Sequence, residues 1–324
     1  AGHLEVVQLH MRQDHDPVVQ AAAIHLMGLS RDKRAVTMPL MLTQGEDLHV
    51  HRAAAEALGR IGPIEGEDPI ASLLYALTIE TNDRAMDHSC TFALIEAGDA
   101  ERVAKGLSYM SPRVRRAALN ALDQMPNVKL EAKPVLAELD SPDAALRDTA
   151  WWIAARHPEW GDQLATYFSK KLDEKFPQPA DYHAFIGRMA SFAKSPAIQK
   201  MLTKILKERN SGTAYAVIER AGLRETPAEW LDAIVPKIDG DAGETQDVLA
   251  VLRVLPQPKA PHPKLTQALI AYVENPENVT PVRLRAIPAI HPAAARLNAR
   301  NFKEALEAAD GRKPDELRQL GVDA

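Results

Sequence analysis

Apolar side chains along this chain return every three or four residues, and no stretch sustains the alternation of a β-strand. That spacing puts them on one face of a helix, and such a face must be buried against a neighbour. The pattern also repeats. Val18-Val19-Gln20-Ala21-Ala22-Ala23-Ile24 aligns with Val50-His51-Arg52-Ala53-Ala54-Ala55-Glu56, with Val114-Arg115-Arg116-Ala117-Ala118-Leu119 and with Leu146-Arg147-Asp148-Thr149-Ala150-Trp151. Asp87-His88-Ser89-Cys90-Thr91-Phe92-Ala93-Leu94 is a weaker copy. Taking Gln20, Arg52, His88, Arg116 and Asp148 as equivalent, the steps are 32, 36, 28 and 32 residues. Stacked units joined by loops of varying length give such steps.

Each unit reads as two helices. The second carries small residues that let helix axes approach closely, as in Ala53, Ala57, Leu58 and Ile61 or Ala117, Ala121 and Leu122. First helices are expected over 35–42, 69–77 and 132–139. A capping residue followed by proline marks helix starts at Asp16-Pro17, Ser111-Pro112, Ser141-Pro142, Ser195-Pro196, Thr226-Pro227 and Thr280-Pro281. Thr226-Pro227-Ala228-Glu229 reads as a capping box, and Gly59, Gly62 and Gly98 read as helix ends. Past residue 160 the repeat weakens, but helical patterns run through 161–172, 181–193, 195–208, 213–221, 227–238, 244–255, 263–274 and 281–290, and Val282-Arg283-Leu284-Arg285-Ala286 resembles the second-helix signature. Proline-spaced connections at 175–179 and 255–263 read as loops between repeats. The predicted fold is all-α: a right-handed α-solenoid of helical hairpins, continuous over residues 1–292, regular over 1–160 and degenerate over 161–292, with 293–324 as a terminal helical cap or tail.

Composition narrows the function classes. At 46% hydrophobic residues the chain can form a core, and its lone Cys90 excludes both a disulfide scaffold and a paired-cysteine zinc site. No run of 18 apolar residues is present, which argues against direct membrane insertion. A net charge of −5 argues against nucleic acid as a partner, because phosphate binding is dominated by Lys and Arg.

Two-helix units of this length with an Ala/Arg-rich second helix resemble HEAT-type repeats, most closely the short variety of bilin-lyase-like proteins. A narrower resemblance covers about residues 15–292. It rests on Arg52-Ala53-Ala54-Ala55-Glu56-Ala57-Leu58-Gly59-Arg60-Ile61-Gly62, on residues 88–96, on Thr149-Ala150-Trp151-Trp152-Ile153-Ala154-Ala155-Arg156-His157-Pro158-Glu159-Trp160-Gly161-Asp162, and on residues 192–199. These phrases are similar to the HEAT segment of large exported proteins of planctomycetes and verrucomicrobia described as membrane-bound dehydrogenases with a c-type haem domain. In those proteins a sugar-dehydrogenase-like β-propeller precedes the helical segment and the haem domain follows it. This chain has no Cys-x-x-Cys-His and no blade-like strand repeats, so the resemblance implies a helical connector without its catalytic and redox neighbours. It also implies a periplasmic or exported bacterial setting. No signal peptide opens the chain at Ala1-Gly2-His3, which fits either a cytosolic protein or a trimmed chain.

His49 and His51 have no third ligand at metal spacing and read as solvent-facing loop histidines. His88 and His157 read as partly buried histidines capping carbonyls near helix ends. Cys90 reads as a small core residue, since His88 sits badly for activating it. Recurring Arg52, Arg115, Arg116 and Arg147, with Asp16, Asp87, Asp140 and Asp148, fit an Asp–Arg ladder between repeats better than a basic stripe. Trp151, Trp152 and Trp160, with Tyr167 and Phe168, form the densest aromatic cluster. Trp151 and Trp152 point about 100° apart on a helix, so at least one faces an inter-repeat core; core packing is the simpler reading for the other as well, with a partner anchor as the alternative. The candidate partner-contact residues are Trp151, Trp152, Trp160, Arg115 and Arg147. The carboxylates Glu65, Glu67, Asp68, Asp239 and Asp241 read as solvated loops. No cofactor and no metal is expected. The chain is expected to be a non-enzymatic scaffold for a protein partner or for neighbouring domains. The alternative is a HEAT-fold enzyme, a bilin lyase or an alkylpurine-DNA glycosylase, the latter built on Trp151, Trp152 and Asp148.

Overall fold

The computed structural model describes residues 5–7, 9, 13–35, 37–44, 47–62, 66–79, 83–174, 176, 178–208, 211–240, 242–294, 298–309, 319 and 322–323. Among these residues the secondary structure is helical, without a β-strand. Glu65, Lys175, Pro177, Asp241 and most of 310–324 lie outside them. The chain is an all-α stack of helical hairpins, an α-solenoid in its architecture, and falls into two compact units, Ala1–His157 and Pro158–Ala324.

In the first unit the long helices are α1 (Pro17–Ser30), α3 (Leu48–Ile61), α5 (Arg84–Ala97), α7 (Pro112–Gln124) and α9 (Ala144–Arg156). The shorter α2 (Met38–Gln44), α4 (Pro69–Ala76), α6 (Ala100–Ala104) and α8 (Ala132–Leu136) alternate with them, and a 3-10 turn at Lys105–Ser108 extends α6. Each long helix packs on the next, α1 on α3, α3 on α5, α5 on α7 and α7 on α9, while α2, α4 and α6 form a second row. Starts are fixed by aspartates. Asp16 accepts from Val18 N, Asp47 from His49 N, Asp83 from Ala85 N and Asp143 from Leu146 N, each satisfying an orphan donor.

Ser141-Pro142 does not start α9; Asp143 does, its side chain accepting from Leu146 N. Gly59 is not a helix end but lies inside α3, where a Cβ would stand 2.6 Å from the Ala93 Cα of α5. Gly28 meets Ala57 in the same way, at 2.9 Å, so glycine is the residue that lets these axes close. Gly98 does cap α5, at φ 69°. Counting from helix starts also moves the repeat register by one. Buried Ala23, Ile24, Met27 and Gly28 of α1 correspond to buried Ala54, Ala55, Leu58 and Gly59 of α3, so Gln20 is equivalent to His51 rather than Arg52.

The second unit contains α10 (Gly161–Leu172), α11 (Pro179–Ser191), α12 (Pro196–Lys207), α13 (Gly212–Arg220), α14 (Ala228–Ile234), α15 (Ala242–Val254), α16 (Pro263–Glu274), α17 (Thr280–Ala286) and α18 (Ala299–Ala309). They too form two rows, α10–α12–α14–α16 and α11–α13–α15–α17. The expected capping box at Thr226 is absent. Pro227 is the N-cap, and Thr226 Oγ1 donates instead to Pro256 O at 2.6 Å, which anchors the proline-spaced loop. His291 Nε2 bonds Pro258 O in the same loop. The capping box that does form, between Gln178 and Asp181, lacked the Ser/Thr signature. Trp230 is fully buried core, its Nε1 donating to Gln199 O at 3.1 Å.

Candidate functional site

One helical position recurs with a structural task. The fourth residue of a helix reaches back to the carbonyl six residues earlier: Gln20 to Asp14 (2.6 Å), Arg115 to Tyr109 (2.8 Å), Arg147 to Ser141 (2.9 Å) and Gln199 to Ala193 (3.0 Å). Each bond ties the entering loop to the helix that follows it. Arg283 of α17 holds the corresponding place and is only 2% exposed. Its guanidinium donates to Val273 O (2.7 Å) and Asn301 Oδ1 (2.9 Å) and pairs with Glu304 (2.9 Å), so α16, α17 and α18 meet on one fully partnered charge. At the same position in α3, His51 leaves a buried Nε2 without a partner among the described residues.

Acid–base pairs link successive long helices of the first unit. Arg52 of α3 donates to Asp83 at 2.9 and 2.7 Å, from Nε and Nη2. Burial pushes Asp83 up, but the Arg52 bonds and the Met86 and Ala85 amides outweigh it and hold the carboxyl below its usual range. Asp87 of α5 takes both Arg113 and Arg116 of α7. Asp123 of α7, its side chain 1% exposed, pairs with His157 (2.7 Å) and Arg156 (3.6 Å) at the end of α9. Of the residues expected to form an Asp–Arg ladder, Arg116 does meet Asp87, but Arg52 meets Asp83, Arg115 meets Glu138 and Arg147 meets the Ser141 carbonyl, while His157 meets the Asp123 carboxylate. His49 and His51 lie on α3 rather than in a loop, and His88 is exposed in the second turn of α5.

The candidate contact residues separate sharply. Arg115 and Arg147 are committed within the chain, Arg115 also to Met110 O and Glu138. Trp151 is 6% exposed, with Nε1 donating to Leu139 O (3.1 Å), and Trp160 is 4% exposed. Neither offers a face to a partner. Trp152 does: it is 47% exposed on α9, and the Arg156 guanidinium lies 4.4 Å over its ring. Burial of Trp151 also removes the aromatic cradle that a glycosylase built on Trp151, Trp152 and Asp148 would need. Cys90 is buried in α5, and burial pushes its thiol up to about 12, the opposite of an activated nucleophile.

Among the described residues no cluster of three or more His, Cys, Asp or Glu could hold a metal, and no helix is long and apolar enough to cross a membrane. Two grooves in the second unit were not legible in the sequence. One, of about 1100 Å³, has Leu249, Leu252 and Leu284 in its walls and Gln319 and Asp323 at its rim, with Asp323 paired to Arg253 at 3.1 Å. The other, of about 1110 Å³, runs between α10 and α12 and is lined by Lys170, Lys200, Lys204 and Lys207.

A profile described as HEAT repeats matches residues 5–89, so this part of the chain is similar to HEAT repeats. No curated protein matches. Among solved structures, one reporting Kap95p binding to RanGDP aligns at 11% identity and TM-score 0.42, covering 98% of this chain and 48% of that one. A structure of importin beta aligns at 11% identity and TM-score 0.36, covering 99% and 52%. Human deoxyhypusine hydroxylase in complex with glycerol aligns at 17% identity and TM-score 0.30, covering 92% and 96%. The chain spans about half the length of the Kap95p and importin beta structures.

Proposed function

We propose that this chain is a non-enzymatic scaffold that binds protein through exposed faces of its helical hairpins, with Trp152 as an anchor. The observation that carries the reading is the contrast along α9. Arg147 and Trp151 are turned inward onto Ser141 and Leu139, while Trp152 stands half-exposed beneath Arg156. Tryptophan and arginine are enriched among the residues that carry interface binding energy, since a rigid indole buries a large area for few lost rotamers. In the first unit Arg52, Asp83, Asp87, Arg113, Arg116 and Asp123 are engaged in joining helices.

The finer proposal is that the chain is the connector of a larger exported protein of the dehydrogenase and haem-domain kind, with the chemistry in flanking domains. Its support is the set of phrases at 52–62, 88–96, 149–162 and 192–199. Reading the gene on both sides tests it: a Cys-x-x-Cys-His downstream is expected, and a frame without one defeats the connector while leaving the scaffold.

The scaffold itself is tested by photo-crosslinking. A benzophenone amino acid replaces Trp152 in the full chain, and a control chain carries it at Met110, which is 96% exposed. The expected result is one discrete protein adduct from position 152 alone, which purified unlabelled chain competes away. Adducts no stronger than those from position 110 would overturn the reading.

A further inference from the structure

The groove between α10 and α12 contains four lysines whose charge nothing in the fold uses. Lys200, Lys204 and Lys207 follow one another at four and three residues on α12, which has no acidic residue over its whole length. They share one face and span about 10 Å along the axis. Lys170 of α10 lines the same groove. All four are exposed, and among the described residues none makes an ion pair or a side-chain hydrogen bond. Several other basic groups in this unit are paired with acids: Lys237 with Glu244, Lys264 with Asp232, Arg283 with Glu304. A row of like charges at helical spacing is unfavourable in isolation, and opposite charge brought from outside would relieve it.

We propose that this groove docks an acidic amphipathic helix of a protein partner, which deepens the scaffold reading above and rests on it. The floor supplies the apolar half of the match, with Met201 and Ala197 from α12 and Ala165 from α10. Carboxylates on the partner at four- and three-residue spacing meet the lysine row in register, while its apolar edge covers Met201. Asp162, Asp173 and Glu229 also line the groove and are unpaired among the described residues. They repel a uniform polyanion, so a phosphate backbone gains less there than a helix whose charge sits on one face. A small anion gains little as well, because exposed ammonium groups are screened by salt.

The test uses fluorescence anisotropy with the full chain and a labelled 18-residue helical peptide, Glu on one face and Leu on the adjoining one. A scrambled peptide of equal composition and an 18-mer of uridylate are the comparisons. The expected result is saturable binding of the amphipathic peptide, at least tenfold tighter than either comparison. Lys200→Glu/Lys204→Glu/Lys207→Glu should abolish binding, and the neutral Gln triple should weaken it about tenfold while melting like wild type. Trp152→Ala should leave it unchanged, which separates failure here from failure of the Trp152 anchor. Equal binding of uridylate or scrambled peptide, no binding, or binding indifferent to the Gln triple would each overturn the proposal.

Discussion

Gly59 and Gly187 both sit inside helices, and their surroundings assign them opposite roles. A Cβ on Gly59 would meet the Ala93 backbone at 2.6 and 2.8 Å, whereas Gly187 on α11 has nothing within 4 Å. Gly59→Ala should therefore force α3 and α5 apart and cost about 1–3 kcal/mol, while Gly187→Ala should gain about 0.5–1 kcal/mol by restricting the unfolded chain. Urea unfolding of the two variants checks both signs. Asp83 carries a pH signature. Its carboxyl is held below the usual range, so its contribution is present above the unfolded-state pKa, near 4, and is lost as pH falls through the lower folded value. Asp83→Asn should remove that slope, so the stability gap to wild type narrows between about pH 5 and about pH 3. At this scale the sequence was partly legible. The 100° between Trp151 and Trp152 established that one is core, but only the carbonyl of Leu139 decides which. The inward turn of Arg115 and Arg147 was hidden, because an arginine at one helical position can equally reach out or back.

Helix boundaries were legible where packing and local chemistry agree. Helices α10 and α16 have the limits that periodicity predicts, Gly161–Leu172 and Pro263–Glu274. Proline correctly marked the starts at Pro17, Pro112 and Pro196, but the signal failed at Ser141-Pro142 and was one residue off at Thr226 and Thr280. Proline suits the first turn of a helix, but it suits the preceding loop equally well, which is its place at Pro142. The aspartate caps at Asp47, Asp83 and Asp143 carry no proline and were missed. The prediction at this scale concerns the tether. Arg115 holds Tyr109 O, Met110 O and Glu138 and so joins the turn after α6 to α7. Arg115→Met should cost about 1.5–3 kcal/mol and raise hydrogen exchange in residues 105–112 more than in α1. Equal exchange in both segments would show that the tether carries no local load.

For the whole molecule, stacking explains both the composition and the surface. Helices that close on glycine and alanine need few aromatic residues, and each unit draws its core from neighbouring helices in its own rows. Charge is spent in the same way, on pairs such as Arg52–Asp83 and Arg116–Asp87 that join one long helix to the next. Among the described residues, the exposed features left over include Trp152 in the first unit and the α10–α12 lysine row in the second. The grooves could not be read from sequence because they arise between helices whose repeat signature has decayed. The central claim is that Trp152 anchors a protein partner. It is tested most directly by titration calorimetry of the partner captured at position 152 against wild-type chain and Trp152→Ala. The account predicts a loss of about 2 kcal/mol, roughly thirtyfold in Kd, with an unchanged melting temperature. An affinity equal to wild type in a variant that folds normally would contradict it.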